Sequence, residues 1–322
     1  MRLLPLLART MLLVSIAASA SAVTMAWTPI GNPGNACDPQ LEECFGAVGY
    51  AYGIGTNEVT NGQYAEFLNA IASTDTNEIF EPILFSPLSG ISRTGAPGSY
   101  SYSVNPGYET RAVNFIDFYD ALRFANWMHN GQPTGAQGPN TTEDGAYTIS
   151  QAGIDANTIT RNPGAQIALP TENEWYKAAY YDALLAQYNP YPFADHANQA
   201  NCELPPGTTS HSSNCAGVSG PQVAPVGSYP SSPSAFGTYD QGGNVAEWNE
   251  TIIDGIDGSQ RGVRGGGYIG PDPSAAAYRE AYIPIYSSSS QGFRLVLIPE
   301  PSTGLLVIVG LMGFTVSRPQ RG

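Results

Sequence analysis

Hydrophobic and polar positions along the chain alternate between two textures. Three short windows show helical spacing, and long intervals rich in Gly, Pro, Ser, Asn and Tyr show no sustained period. The first window, NEVTNGQYAEFLNAI, places Tyr64, Phe67, Leu68 and Ile71 on one helix face, with Thr60 and Gln63 spaced as a capping box. The second, NFIDFYDALRFANWMHNG, uses the same grammar: Asp117 as cap, Asp120 in the first turn, an apolar stripe at Phe118, Ala121, Leu122 and Ala125, and Gly131 as the stop. The third, ALPTENEWYKAAYY, sets Thr171 and Glu174 as a capping box ahead of Trp175, Ala178 and Ala179. Tyr50–Gly55 predicts a short strand. The stretches 86–110 and 131–165 read as turn-rich, and from 186 to 300 the strand-like pieces are no longer than a few residues. Irregular stretches of that length need a device other than a ladder to fix them, and disulfides and bound ions are the usual ones.

Charge narrows the possibilities. Charged residues make up only 12% of the chain, the formal net charge is −14, and Lys177 is the single lysine. Nucleic acid and anionic membrane both demand basic patches, so neither is expected as a partner. Four of the thirteen basic residues lie at the two ends, as Arg2, Arg9, Arg318 and Arg321, which leaves the intervening domain more acidic still. The N-terminal order is basic, then apolar (MLLVSIAA), then small (ASASA), as in a secretory signal peptide cut after Ala22. A retained N-terminal anchor is the competing reading, and the shortness of the apolar run counts against it.

Export gives the cysteines their meaning. In an oxidising compartment the even set Cys37, Cys44, Cys202 and Cys215 implies two disulfides. The pairings 37–44 and 202–215 close the shortest loops, although four cysteines allow three connectivities. Zinc is the weaker alternative, because neither spacing is CxxC and no histidine closely flanks either pair.

The C-terminal segment IPEPSTGLLVIVGLMGFTVSRPQRG joins Pro299-Glu300-Pro301 to an apolar run and a short basic tail. It resembles the PEP-CTERM sorting signal, which implies an exosortase-type processing enzyme as a partner. A plain C-terminal anchor is the alternative. Either way the membrane is engaged only through this tail, and the domain lies at the cell surface or outside. The chain thus divides into a signal peptide (1–22), a lead-in (23–47), a main domain (48–298) and the sorting segment (299–322).

Within the main domain the ordered motifs GTNEVTNGQYAEFLNA, AVNFIDFYDALRFANWMHNG, ALPTENEWYKAAYY, FGTYDQGGNVAEWNE, RGVRGGGYIG and QGFRLV resemble the formylglycine-generating enzyme (sulfatase-modifying factor) family. The resemblance implies an α+β, C-type-lectin-like fold, low in regular secondary structure, and a calcium cofactor. By position it implies a calcium site from the side chains of Asp240 and Glu247 with backbone oxygens of Gly243 and Val245. The chemistry of the segment agrees, since calcium takes carboxylate and carbonyl oxygens; the competing reading is that these carboxylates satisfy turn amides. A second site would begin at Asn201 and Cys202.

The catalytic members use two cysteines that here fall near Gly270 and Ala275, and no cysteine follows Cys215. The expected function is therefore an exported, calcium-stabilised, non-catalytic surface or matrix binding protein with a ligand groove at Tyr268, Arg279 and Arg294. Arg264, Arg279 and Arg294 also read as loop braces through carboxylate pairs. A polysaccharide or a surface protein is the expected partner, with tyrosines at 100–108 and 188–191 as sugar-stacking candidates. The alternative is a metal-dependent oxidase or sulfur-transforming enzyme using non-standard residues. His129, His196 and His211 are far apart in sequence and offer no ready ligand set for it.

Overall fold

The computed structural model describes residues 22–81, 88–197, 199–220, 222–255, 258–269 and 275–299. Residues 1–21 of the expected leader and nearly all of the sorting segment lie outside the described residues, as does Gly270. Among the described residues no helix is long and apolar enough to cross a membrane.

The three expected helices form where their caps place them. In α1 (Asn61–Ile71) the Thr60 side chain accepts from the Gln63 amide and Gln63 reaches back, completing the capping box. In α2 (Phe118–His129) the Asp117 carboxylate accepts from the Asp120 amide. A single-turn helix, α3 (Gln151–Asp155), lies within the stretch expected to be turns only; Ser150 caps it, and none of its residues is buried, so no apolar stripe announces it. In α4 (Glu172–Tyr180) Thr171 and Glu174 form the second capping box. Helices α1 and α2 meet through an aromatic cluster in which Tyr64, Phe67, Phe124, Trp127 and Phe293 lie ring to ring. Such pairs add about 0.5–1.5 kcal/mol each beyond the area they bury.

Two four-stranded sheets carry the rest of the frame. Their strands are β1 (Trp27–Ile30), β2 (Tyr52–Gly55), β3 (Ile167–Ala168), β4 (Ala246–Gly255), β5 (Gly258–Arg264), β6 (Glu280–Tyr282), β7 (Gln291–Gly292) and β8 (Val296–Leu297). The first sheet runs β1-β2-β8-β3 and is antiparallel throughout. The second runs β6-β5-β4-β7, antiparallel except where β7 joins β4 in parallel. The fold is thus α+β and low in regular structure, as expected.

One expectation fails. The β4–β5 hairpin is built from strands of 10 and 7 residues, not pieces of a few. The period-2 apolar signal that marks such strands is missing because charged and amide side chains take the buried positions. Glu247, Asn249, Arg261 and Arg264 are all buried, and a register shift between Trp248 and Ile252 breaks the alternation again. The disulfides Cys37–Cys44 and Cys202–Cys215 form as the short-loop pairing anticipates, and none of the four cysteines is free.

Candidate binding groove and the charge network behind it

The β6 edge of the second sheet, the residues that follow it and the start of β7 enclose a cavity of about 420 Å³. Its walls include Tyr278, Glu280, Tyr282, Tyr286, Ser288, Ser289, Ser290 and Gln291. The Tyr278 and Tyr282 hydroxyls both donate to Glu280 Oε1, each at 2.9 Å, which fixes two rings on one carboxylate. The Tyr282 and Tyr286 rings are stacked, with centroids 4.5 Å apart and planes 14° from parallel. Tyr278 and Tyr286 remain 40% and 38% exposed. On the floor Gly267 has no room for a side chain, since a Cβ there would lie 2.6 Å from the Ser290 Cβ.

Two arginines, Arg264 buried and Arg279 half-buried, hold this cavity from behind. Glu172, at the start of α4, accepts from Arg264 Nε at 2.8 Å and from Arg279 Nε and Nη2 at 2.9 and 2.6 Å. Arg264 Nη1 in turn donates to the carbonyls of Ala276 and Tyr278, at 3.0 and 2.6 Å, so the guanidinium clips down the loop that presents Tyr278. Both arginines lie over the Phe45 ring, next to the Cys37–Cys44 loop. Arg294 belongs to a separate, fully buried centre. Its Nε and Nη2 grip Glu247 Oε2 and Oε1 at 2.6 and 2.7 Å, and it donates to the carbonyls of Gly55 and Tyr239. It therefore bolts the first sheet to the second.

The expected groove residues are thus supports and not walls: among the described residues, none of Tyr268, Arg279 and Arg294 lines the cavity. Tyr268 is buried and donates its hydroxyl to Ser289 Oγ at 2.9 Å, holding one wall from beneath. Arg279 and Arg294 are committed to carboxylates, as the loop-brace reading anticipates. The expected sugar-stacking tyrosines Tyr100, Tyr108 and Tyr188 are half-buried and in contact with other side chains. Arg93 covers Tyr100, Arg111 covers Tyr108, and the Tyr188 ring packs against Tyr176 and Tyr181.

The model of the sulfatase-modifying factor enzyme 1-like domain matches residues 47–298. The chain belongs to that family. Among solved structures it is similar to CarF, at 20% identity and a TM-score of 0.55, covering 86% of this chain and 99% of that one. It is also similar to Treponema denticola variable protein 1, at 21% identity and a TM-score of 0.56, covering 88% and 98%. Among curated proteins nothing matches significantly. At these identities the likeness shows the fold.

Of the two positions near which the family's catalytic cysteines were expected to fall, Ala275 is described, and its carbonyl accepts from the Tyr278 amide. It has no thiol to offer, and all four thiols of the chain are consumed in disulfides remote in sequence. Among the described residues the histidines belong to no cluster of three metal-ligating side chains. His129 Nδ1 accepts from the Gln166 amide, His196 faces Asp182, and His211 faces Asp195.

The segment expected to hold calcium folds into a tight turn. Asp240, Gly243 and Asn244 all adopt positive φ (60°, 88° and 59°), and a Cβ on Gly243 would strike the Asn214 carbonyl at 2.5 Å. Asp240 Oδ2 accepts from the Gly227 amide at 2.6 Å, and Val245 is buried. Glu247 is fully buried; besides its pair with Arg294 it accepts from Trp175 Nε1 at 2.8 Å.

Sequence reasoning missed the third carboxylate, Glu58. It is buried; Asn244 donates to its Oε1 at 3.0 Å, and its Oε2 is buried without a partner. Burial and then the nearby Asp240 carboxylate push Glu58 well above the usual carboxylate range. Burial likewise pushes Asp240 up to about 6. Crowding three carboxyl groups around one guanidinium favours proton uptake at Glu58 and Asp240, and Glu58 Oε2 is left without a partner. A hard divalent cation fits that donor chemistry. Among the described residues no three His, Cys, Asp or Glu side chains converge as metal ligands, so backbone oxygens such as those of Gly243 and Val245 would have to complete the shell. Of the tentative second site, Asn201 spends its amide on the Ser210 carbonyl and Cys202 its sulfur on Cys215.

Proposed function

We propose that the chain is an exported, calcium-stabilised binding domain that keeps the sulfatase-modifying factor fold without its thiol chemistry, acting at the cell surface or in an extracellular matrix. The observation that carries this reading is the groove itself. It is concave, tyrosine- and serine-lined and backed by the Glu172–Arg264 and Glu172–Arg279 ion pairs, and its lining includes Gly267 and Ile269 of the glycine run. A cavity of this size with a few convergent polar groups is a ligand site in form. Three carboxyl groups, Glu58, Asp240 and Glu247, gathered around the single guanidinium of Arg294 support calcium as the stabilising ion. The two disulfides support an oxidising compartment, and the leader and sorting segments read from the sequence support export and exosortase-type processing.

A direct test presents the purified protein with a cysteine-containing peptide, oxygen and copper, and follows peptide mass. The binding reading expects the peptide to be recovered unchanged. Conversion of its cysteine to formylglycine at a catalytic rate would replace that reading with an enzyme using other residues.

A further inference from the structure

One group in the groove has no partner of its own. Gln291 lines the cavity and is only 1% exposed, yet its side-chain Nε2 is buried without a hydrogen-bond acceptor. An unpaired buried donor costs about 1–3 kcal/mol, and native proteins keep few of them. Its backbone cannot drift to relieve this, because Gln291 is paired with Ala246 in the parallel β4–β7 ladder. The arrangement suits an acceptor supplied by a bound molecule.

The remaining walls limit what that molecule is. Among the described residues no lysine, arginine or histidine lines the cavity, and Glu280 is its only charged group. With a chain charge of −14 this disfavours an anionic ligand. Stacked, partly exposed tyrosine rings offer apolar faces, and Ser288, Ser289 and Ser290 bring hydroxyls that both donate and accept. A ligand must therefore be neutral, carry acceptors around its rim and present a flat apolar face. Resting on the groove's reading as a ligand site, we infer that it binds a neutral glycan ring. The ring lies against Tyr286, accepts from the Gln291 amide and exchanges hydrogen bonds with the serines.

The test measures affinities of the full-length protein, in calcium, for four probes by calorimetry: cellotetraose, the N-acetylglucosamine tetramer, an oligogalacturonate tetramer and an unstructured cysteine-containing peptide. At least one neutral oligosaccharide should bind, with the oligogalacturonate at least about tenfold weaker. Tyr286→Ala should weaken neutral binding roughly three- to tenfold. Gln291→Met should weaken it by on the order of tenfold while leaving the melting temperature unchanged or higher, since it removes an unpaired buried amide. A purely structural glutamine would not give that opposition.

Failure of both neutral probes to bind at millimolar concentration overturns the inference, as does binding that both variants leave intact. If only the peptide binds and both variants weaken it, the glycan assignment falls and the groove stands as a peptide site. If the peptide is oxidised in turnover, the reading of the domain as non-catalytic falls with it.

Discussion

Replacing Arg294 by methionine should be among the most damaging single changes this domain can suffer. The guanidinium is completely buried and holds both oxygens of Glu247 at 2.6 and 2.7 Å, with further bonds to the carbonyls of Gly55 and Tyr239. Methionine fills much of the volume, so the loss is chiefly electrostatic. It strands Glu247 beside Glu58 and Asp240, both of which burial already holds above their ordinary pKa. Removing one partner of a buried pair costs about 3–5 kcal/mol. For a domain of this size that corresponds to a fall in Tm of roughly 6–20 °C. The assay is thermal unfolding in the presence of chelator, for R294M, E247Q and the double variant. The double variant should recover part of the loss, because no unpaired charge remains. The deficit of R294M should also shrink as pH falls toward 5, where the stranded carboxylates can take up protons. A loss below about 1 kcal/mol at neutral pH, or one that does not change with pH, would show that Arg294 is not the compensating charge of this centre.

Three further outcomes follow from the same geometry. In chelator, the raised Asp240 pKa favours the folded state while Asp240 is protonated; that contribution is full below its unfolded value near 4 and is lost as pH rises through about 6. Calcium needs the ionised form, so the Tm increment it gives should be small at pH 5 and larger at pH 7.5, and an increment that Glu58→Gln leaves unchanged would remove Glu58 from the site. Cys202→Ser with Cys215→Ser opens a 13-residue separation and should cost about 3 kcal/mol in chemical denaturation, without altering the α-helical circular dichroism of the folded state. Glu172→Gln should leave Arg264 and Arg279 underpaired and free the loop they clip, which should appear as faster amide hydrogen exchange at residues 276–279.

What the sequence shows, and what it hides, divides along physical lines. The helices are legible because their signals are local: Thr60 with Gln63, Asp117 with Asp120, and Thr171 with Glu174 each sit within one turn of the amide they cap. The disulfides are legible because short loops are the easiest to close. The β4–β5 hairpin is not, because its inward positions hold Glu247, Asn249, Arg261 and Arg264, whose partners lie across the fold. Arg264 meets Glu172 and Arg294 meets Glu247 across separations of 92 and 47 residues.

The groove is hidden for the same reason. Tyr268, Arg279 and Arg294 belong to the right segments, but their side chains turn inward, and the exposed wall is made by Tyr278, Tyr282, Tyr286 and the serines after them. Glu58 could have been suspected from its place in NEVTN, one residue before the buried Val59, where a carboxylate must find a cation or an N–H. Nothing local announced that its neighbours would be Asp240, Glu247 and Arg294.

The most direct test of the groove as the working part of the molecule is to follow the Gln291 side-chain amide by NMR, assigned through its loss in Gln291→Met. The N-acetylglucosamine tetramer and the cysteine-containing peptide would be added in turn. Occupation of the groove predicts a saturable downfield shift of that amide with at least one of them, with the probe recovered chemically unchanged. A probe that binds while the Gln291 amide stays where it was would place the ligand elsewhere and leave the groove without a function.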